Sequence, residues 1–255
     1  MILAIDIGNT NIVVGCIDKE KTYFIERIST DKHRTELEYA IVLKNVLDIY
    51  QIQPSELEGS IICSVVPQIT QIIKLAVKKI LLREVMVLGP GIKTGMNILM
   101  DNPAQVGSDL IASAIGAINE YPAPLIIFDM GTATTVCVVD RNKNYIGGMI
   151  LPGIQTALDA LTSNAAQLSG IDLVPPKRII GKNTIESMRS GIINGNAASV
   201  DGIITRIQEE LKEKTTIVAT GGLAKVIIPF CRENIILDED LLLKGLLYIY
   251  EKNKS

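Results

Sequence analysis

The chain carries a single histidine, His33, set between Lys32 and Arg34. Those flanks mark a solvated loop residue, so a Ser-His-Asp relay is not expected and acid–base work falls to carboxylates. Cysteine is also scarce. Cys16, Cys63, Cys137 and Cys231 are far apart and lie mostly in apolar runs. They read as thiols of a reducing cytosol, not as a zinc site or a disulfide frame. Any metal is then expected to be a hard cation on oxygen ligands. Positive charge is not in excess: 25 Lys and Arg face 28 Asp and Glu, for a net charge of −3. A nucleic-acid partner, which calls for a basic face, is therefore not expected. No apolar run approaches the ~18 residues of a membrane span. The first residues, Met1-Ile2-Leu3-Ala4-Ile5-Asp6, have no basic segment and meet an Asp at once. Neither a signal peptide nor a membrane partner is expected, and a cytoplasmic location is.

What is present is a repeat. Ala4-Ile5-Asp6-Ile7-Gly8-Asn9-Thr10-Asn11 recurs as Ile127-Phe128-Asp129-Met130-Gly131-Thr132-Ala133-Thr134. In both copies an apolar run ends in Asp-x-Gly and small polar residues. A second β-branched run, an Asp and a charged turn follow (Lys19-Glu20-Lys21; Arg141-Asn142-Lys143), and Tyr23 or Tyr145 opens the next strand. Self-similarity across about half the chain implies a duplicated unit. The chemistry is specific: a buried strand delivers a carboxylate, the Gly permits a sharp turn, and the following N–H, Asn and Thr groups can face an anion. Two ordinary hairpins would give the same local pattern, but matched flanks favour a pair of phosphate loops.

With 47% hydrophobic residues in 255, a sizeable core is available. Helical spacing is expected over 36–50, with Leu37, Ala40, Ile41, Leu47 and Tyr50 as its stripe, then over 68–82 and 109–121. Strands are expected at 60–66 and 85–88. This strand–helix alternation signals a covered α/β sheet. Residues 89–95 match neither common phosphate-loop spacing and read as a turn-rich connection. The second half starts near Pro122. Its first strand runs over 125–129, and a helix follows Gly153 to about Leu168. A long helix covers 183–214, with a break near Gly195 as an alternative. A strand over 216–220 leads through Thr220-Gly221-Gly222 into a helix to about Cys231, and 240–251 forms the closing helix. The expected division is 1–121 and 122–255.

Two Asp-x-Gly hairpins followed by Thr220-Gly221-Gly222-Leu223 resemble the nucleotide site of the actin, Hsp70 and sugar-kinase superfamily. That resemblance implies two duplicated ribonuclease-H-like lobes with an ATP cleft between them. Several pieces occur in order: Asp6-Ile7-Gly8-Asn9-Thr10, Ser64-Val65-Val66-Pro67, Asn102-Pro103, Gly107-Ser108-Asp109, Asp129 to Thr135, Gly147-Gly148, Pro152-Gly153 and Asn183-Thr184. Together they are similar to the type III pantothenate kinases over essentially the whole chain.

The resemblance implies ATP-dependent phosphorylation of pantothenate, the first step towards coenzyme A. It also implies Mg²⁺, a monovalent cation (K⁺ or NH₄⁺), and a homodimer whose pantothenate site is completed by the partner. Residue by residue, Asp6, Ile7, Gly8, Asn9, Thr10, Asn11, Ile12 and Val13 map onto the first phosphate loop, with Asp6 a Mg²⁺ candidate. Thr132, Gly221 and Gly222 map onto further ATP contacts, and Asp129 onto the monovalent-cation ligand. Gly107, Ser108, Asp109 and Leu110 map onto the substrate motif, with Asp109 as catalytic base, and Thr184 onto a substrate contact reached from the partner. Ser108 or Asp109 would equally serve as a helix cap, as would Thr184. Leu110 stands where the family usually has Arg, and Met100 where it usually has Tyr, both on the pantothenate side. Lys182 and Arg189 are the cations near Thr184 that can replace that Arg. A kinase of another small hydroxyl compound, such as a sugar, and a non-catalytic nucleotide-binding regulator are the competing functions.

Overall fold

The computed structural model describes residues 1–165, 168 and 170–254. The chain runs β1 (Ile2–Ile7), β2 (Asn11–Ile17), β3 (Thr22–Ser29), α1 (Glu36–Ile49), β4 (Gly59–Ser64), α2 (Pro67–Leu81), β5 (Met86–Val87) and α3 (Ser108–Glu120). It continues through β6 (Leu125–Met130), β7 (Ala133–Val139), β8 (Tyr145–Pro152), α4 (Ile154–Asn164), α5 (Thr184–Leu211), β9 (Thr216–Thr220), α6 (Ala224–Ile227), β10 (Ile236–Leu237) and α7 (Leu241–Asn253).

The strands form two sheets of one topology, ordered β3-β2-β1-β4-β5 and β8-β7-β6-β9-β10. In each, the first three strands are an antiparallel meander, and the central strand then pairs in parallel with the strand that follows a helix. The duplication extends to side-chain placement. β1 and β6 share one pattern of burial along their length, and so do β2 and β7. Both second strands carry a register irregularity at their far end, at Cys16/Ile17 and at Val138/Val139. The near-continuous apolar runs of β1, β4, β6 and β9 follow from burial on both faces.

The chain divides into two compact units. The first comprises Met1–Met96, Asp101–Asn119 and Asp240–Ser255; the second comprises Asn97–Met100 and Glu120–Glu239. The sequence boundary at 121/122 placed the closing helix in the second half, whereas α7 packs in the first unit. Glycine makes this packing possible. A Cβ on Gly245 would lie 1.8 Å from the Ala112 carbonyl oxygen, and one on Gly116 would lie 2.3 Å from that of Leu241, so α3 and α7 meet backbone to backbone.

The first unit's core joins Leu3, Ile5, Ile7, Ile12 and Val14 to Tyr39, Leu43 and Leu47 of α1 and Ile69, Ile73 and Val77 of α2. The second joins Ile126, Phe128, Met130 and Val136 to Ile193, Ala197, Val200 and Ile204 of α5. Two local expectations, on α1 and α4, are corrected, and the long helix expected over 183–214 forms without the alternative break. On α1 the buried face is Tyr39, Ala40, Leu43, Val46 and Leu47, and Leu37 and Ile41 face solvent, because the capping box formed by Thr35 and Glu38 sets the phase of the helix. α4 ends at Asn164, where Ala165 turns extended; of the expected extension to Leu168, residues 166 and 167 lie outside the described residues. α5 runs unbroken through Gly195, since its buried residues Met188, Ile193, Ala197, Val200 and Ile204 keep one face on the core throughout. That burial outweighs the ~1 kcal/mol helix penalty of a glycine.

Candidate functional site

In the first unit, parallel pairing of β1 with β4 sets Asp6 opposite Cys63 and Ile7 opposite Ser64. The buried Cys63 thiol donates to Asp6 Oδ1 at 2.9 Å. The loop after β1 is latched from both ends. Gly8 N–H donates to the Asn11 carbonyl at 3.0 Å, Thr30 Oγ1 donates to the Gly8 carbonyl at 2.7 Å, and Thr30 N–H donates to the Thr10 carbonyl at 3.0 Å. Asn9, Thr10 and Asn11 are left exposed at the tip, while Ile12 is buried and Val13 half-buried behind them.

Gly107, Ser108, Asp109 and Leu110 lie at the start of α3 in the same unit. Ser108 Oγ donates to the Ser64 carbonyl at 3.1 Å and accepts from the Ser64 N–H at 3.1 Å, which ties this helix start to the end of β4. Asp109 Oδ1 accepts from the Leu110 N–H at 2.9 Å, so Asp109 is held by the first turn. Its pKa is raised by burial, against which hydrogen bonds from the Leu110 N–H and its own N–H pull it down. The Cys63 thiol is pushed well up, first by burial, then by the Asp6 charge and hydrogen bond, then by the Asp109 charge; a hydrogen bond from Ser108 opposes this. One thiol thus feels both carboxylates. The sequence reads Cys63 only as one of four thiols of a reducing cytosol; the level at which β1 and β4 end places it beside Asp6.

In the second unit, Asp129 is flanked across the sheet by Thr135 on β7 and Thr220 on β9. Residues paired in this way project from the same face. The hydroxyls of Thr134 and Thr135 are buried and have no hydrogen-bond partner among the described residues. Gly131 N–H donates to the Ala133 carbonyl at 3.0 Å and Thr156 Oγ1 to the Thr132 carbonyl at 2.9 Å, leaving Thr132 exposed at the turn. Gly221 sits at φ +93°, and a Cβ there would lie 2.6 Å from both Asp129 Oδ1 and Met130 N. Only glycine fits the position on both counts. Gly222 follows it at the turn. The helix expected to run to Cys231 is four residues, Ala224–Ile227, because Pro229 enters a 3₁₀ turn over Ile228–Phe230. Thr184 is not drawn into this corner. It is the first residue of α5 and lines an apolar groove with Leu161, Leu168, Met188 and Ile192. The cap of α5 is Asn183, whose side chain accepts from the Glu186 N–H at 2.9 Å, which leaves Thr184 without that task. Lys182 is exposed, and Arg189 donates to Glu186 at 3.2 Å and to the Asp172 carbonyl at 3.4 Å.

The residues fit a nucleotide with its metal. Among the described residues no group of three or more His, Cys, Asp or Glu could hold a metal ion by itself. Mg²⁺ in kinases needs no such cage, since one or two carboxylates and the substrate's own phosphates hold it. Asp6 at a latched loop supplies one. Asp129 with two adjacent threonines, one of them bearing an unsatisfied buried hydroxyl, is an oxygen set suited to a hard cation.

Comparison with known proteins places the fold first. A candidate N-acetylglucosamine kinase from Porphyromonas gingivalis superposes with a TM-score of 0.55 at 13% identity, covering 99% of each chain. A conserved candidate Baf family transcriptional activator from Campylobacter jejuni does so at 0.61 and 19% identity, over 99% of this chain and 98% of that one. At these identities the likeness shows the fold: the duplicated five-stranded sheets are shared with both structures. The family model for type III pantothenate kinase matches residues 2–206. A type III pantothenate kinase of Bacillus cytotoxicus is 43% identical over 253 residues, 99% of this chain and 97% of that protein. The chain belongs to the type III pantothenate kinase family.

Proposed function

We propose that the protein phosphorylates pantothenate at the expense of ATP, giving 4′-phosphopantothenate, with Asp109 as general base. The observation that carries the base assignment is the half-buried Asp109 carboxylate at the start of α3, in the unit that holds Asp6 and close enough to share an effect on Cys63. Asp109 accepts the proton of the pantothenate hydroxyl as that oxygen bonds to the γ-phosphorus. The bond from the γ-phosphorus to the β–γ bridging oxygen breaks, and ADP leaves. Such transfer is mostly positioning and neutralisation of charge. In the first unit Asp6 and the latched loop after β1 are assigned to the phosphates; in the second, Thr132, Gly221 and Gly222 are assigned as ATP contacts. Asp6 would help to hold a magnesium ion carried with ATP, which would supply charge neutralisation at the phosphates.

We extend the reading in two ways. Asp129, with Thr135 and Thr220 beside it, would bind K⁺ or NH₄⁺; the unsatisfied Thr135 hydroxyl supports this. A homodimer would complete the pantothenate site through Thr184 of the other copy. In support, Ile179, Ile180 and Ile185 are 73%, 75% and 51% exposed. They lie near an apolar groove of about 460 Å³ that includes Thr184. Lys182 or Arg189 would take the pantothenate carboxylate that Leu110 cannot. The four scattered cysteines suit a cytoplasmic enzyme,.

A coupled ADP-release assay with pantothenate and a panel of sugars, with and without K⁺, tests the reading. ADP release is expected with pantothenate alone. Faster turnover of a sugar would move the assignment to another kinase of this fold. ATP binding with no turnover on any of these substrates would favour a regulator.

A further inference from the structure

Phosphoryl transfer demands that the base and the phosphate-holding carboxylate keep their separation, because an error of about 1 Å can cost on the order of 100-fold in rate. In this chain the two groups come from unconnected elements. Asp6 is the second-last residue of β1, whereas Asp109 is the second of α3, which follows a stretch, residues 101–105, that is exposed throughout. Within that stretch Pro103–Gln105 form a short 3₁₀ turn.

Two consecutive residues at the end of β4 perform the task. Cys63 faces Asp6 and donates its S–H to Oδ1 at 2.9 Å, fixing the orientation of that carboxylate. Ser64 offers its backbone N–H and carbonyl to the Ser108 hydroxyl, each at 3.1 Å, fixing the residue immediately before Asp109. Ser64 is itself held, since its Oγ accepts from the Val66 N–H at 3.1 Å and from Thr70 Oγ1 at 2.8 Å, so the strand end cannot swing. The Ser108 hydroxyl thus both accepts from and donates to the Ser64 backbone.

We propose that Cys63 and Ser108 are positioning residues of the transfer reaction, with the end of β4 acting as a spacer that sets Asp6 against Asp109. The inference rests on the roles given to Asp6 and Asp109 above. It assigns Ser108 to holding the helix start and gives the buried Cys63 thiol a donor's task.

The test measures kcat and KM for both substrates in the full-length protein. The variants are Ser108→Ala, Cys63→Val and Cys63→Ser, with Asp109→Asn as control, each assayed below its own melting temperature. Valine fills the space of the thiol without donating; serine donates. Ser108→Ala and Cys63→Val are expected to lower kcat about tenfold with both KM values within about twofold, and Cys63→Ser to restore most of the loss. Wild-type kcat in both Ser108→Ala and Cys63→Val, with Asp109→Asn inactive, would overturn the spacer and leave the base assignment standing. Failure of Cys63→Ser to exceed Cys63→Val would overturn the donor role of Cys63. A fully active Asp109→Asn would remove the reading on which the inference rests.

Discussion

Replacing Asp109 by asparagine separates chemistry from architecture. The amide oxygen can still accept the Leu110 N–H that Oδ1 accepts at 2.9 Å, so the first turn of α3 is kept. What is lost is the group that takes the hydroxyl proton. A positioned general base contributes about 10²–10⁴-fold, or roughly 3–5 kcal/mol of activation free energy at ~1.36 kcal/mol per decade. Stability should move the other way. Burial raises the Asp109 pKa in the folded state. Folding is therefore favoured with the proton on: that contribution is complete below the unfolded-state pKa, ~3.9, and is lost as pH rises through the raised folded-state value. At pH 8 the wild type carries an ionised, half-buried carboxylate that the asparagine variant lacks. The variant is expected to melt no lower than wild type at pH 8, with any advantage shrinking as the pH falls to 4. Turnover should fall by at least 100-fold, while calorimetry still shows ATP binding. In the wild type, kcat should rise with pH across a single ionisation above the usual Asp range. Turnover above a tenth of wild type would refute the base assignment. A variant clearly less stable than wild type at pH 8 would refute the claim that burial of this charge costs stability.

Three further outcomes are expected. Activity should depend on K⁺ or NH₄⁺, and Asp129→Ala should abolish both the dependence and the activity; equal rates in buffer free of both ions would count against the cation site. The protein should sediment as a dimer, and mixing inactive Asp109→Asn with an inactive Thr184→Arg variant should recover part of the activity; a fully active monomer at micromolar concentration would sink the composite site. Lys182→Ala should raise KM for pantothenate by about 10- to 100-fold, the value of one charge-assisted hydrogen bond at 1.5–3 kcal/mol, with kcat little changed. Arg189→Ala should have the smaller effect, because that guanidinium is already engaged by Glu186 and the Asp172 carbonyl; if both are silent, the carboxylate is anchored elsewhere.

The repeat was legible because a buried meander leaves the sequence few choices. β1 and β6 must be apolar on both faces, and each must release its chain at an Asp-x-Gly turn, so the two copies share one pattern of apolar and small polar residues. What was not legible depends on pairings distant in sequence. Nothing local in residues 241–253 says that they pack on α3, and a single cut near 121 therefore misplaced them. The signal available was a pair of helix-interior glycines, Gly116 and Gly245, whose cost in a helix is repaid when two backbones must touch,. The short α6 escaped because an apolar run ending in Ile227-Ile228-Pro229 reads as a longer helix until the missing proline N–H is counted.

The deeper limit concerns the two aspartates, which sequence presents as equivalent. Their strands are superimposable in burial and register, so their difference lies in what the neighbouring strands place beside them. Asp6 is paired with Val13 and Cys63. Asp129, at the matching point of the second sheet, is paired with Thr135 and Thr220. The first carboxylate thus has an apolar flank and a soft donor, the Cys63 thiol, which orients it. The second has two hydroxyl oxygens on its own face, a set that suits a hard cation,. One duplicated backbone can therefore serve two tasks through substitutions at two ladder positions, Val13 against Thr135 and Cys63 against Thr220. No reading confined to the Asp-x-Gly motif could separate them, because the residues that differ lie one strand away on either side.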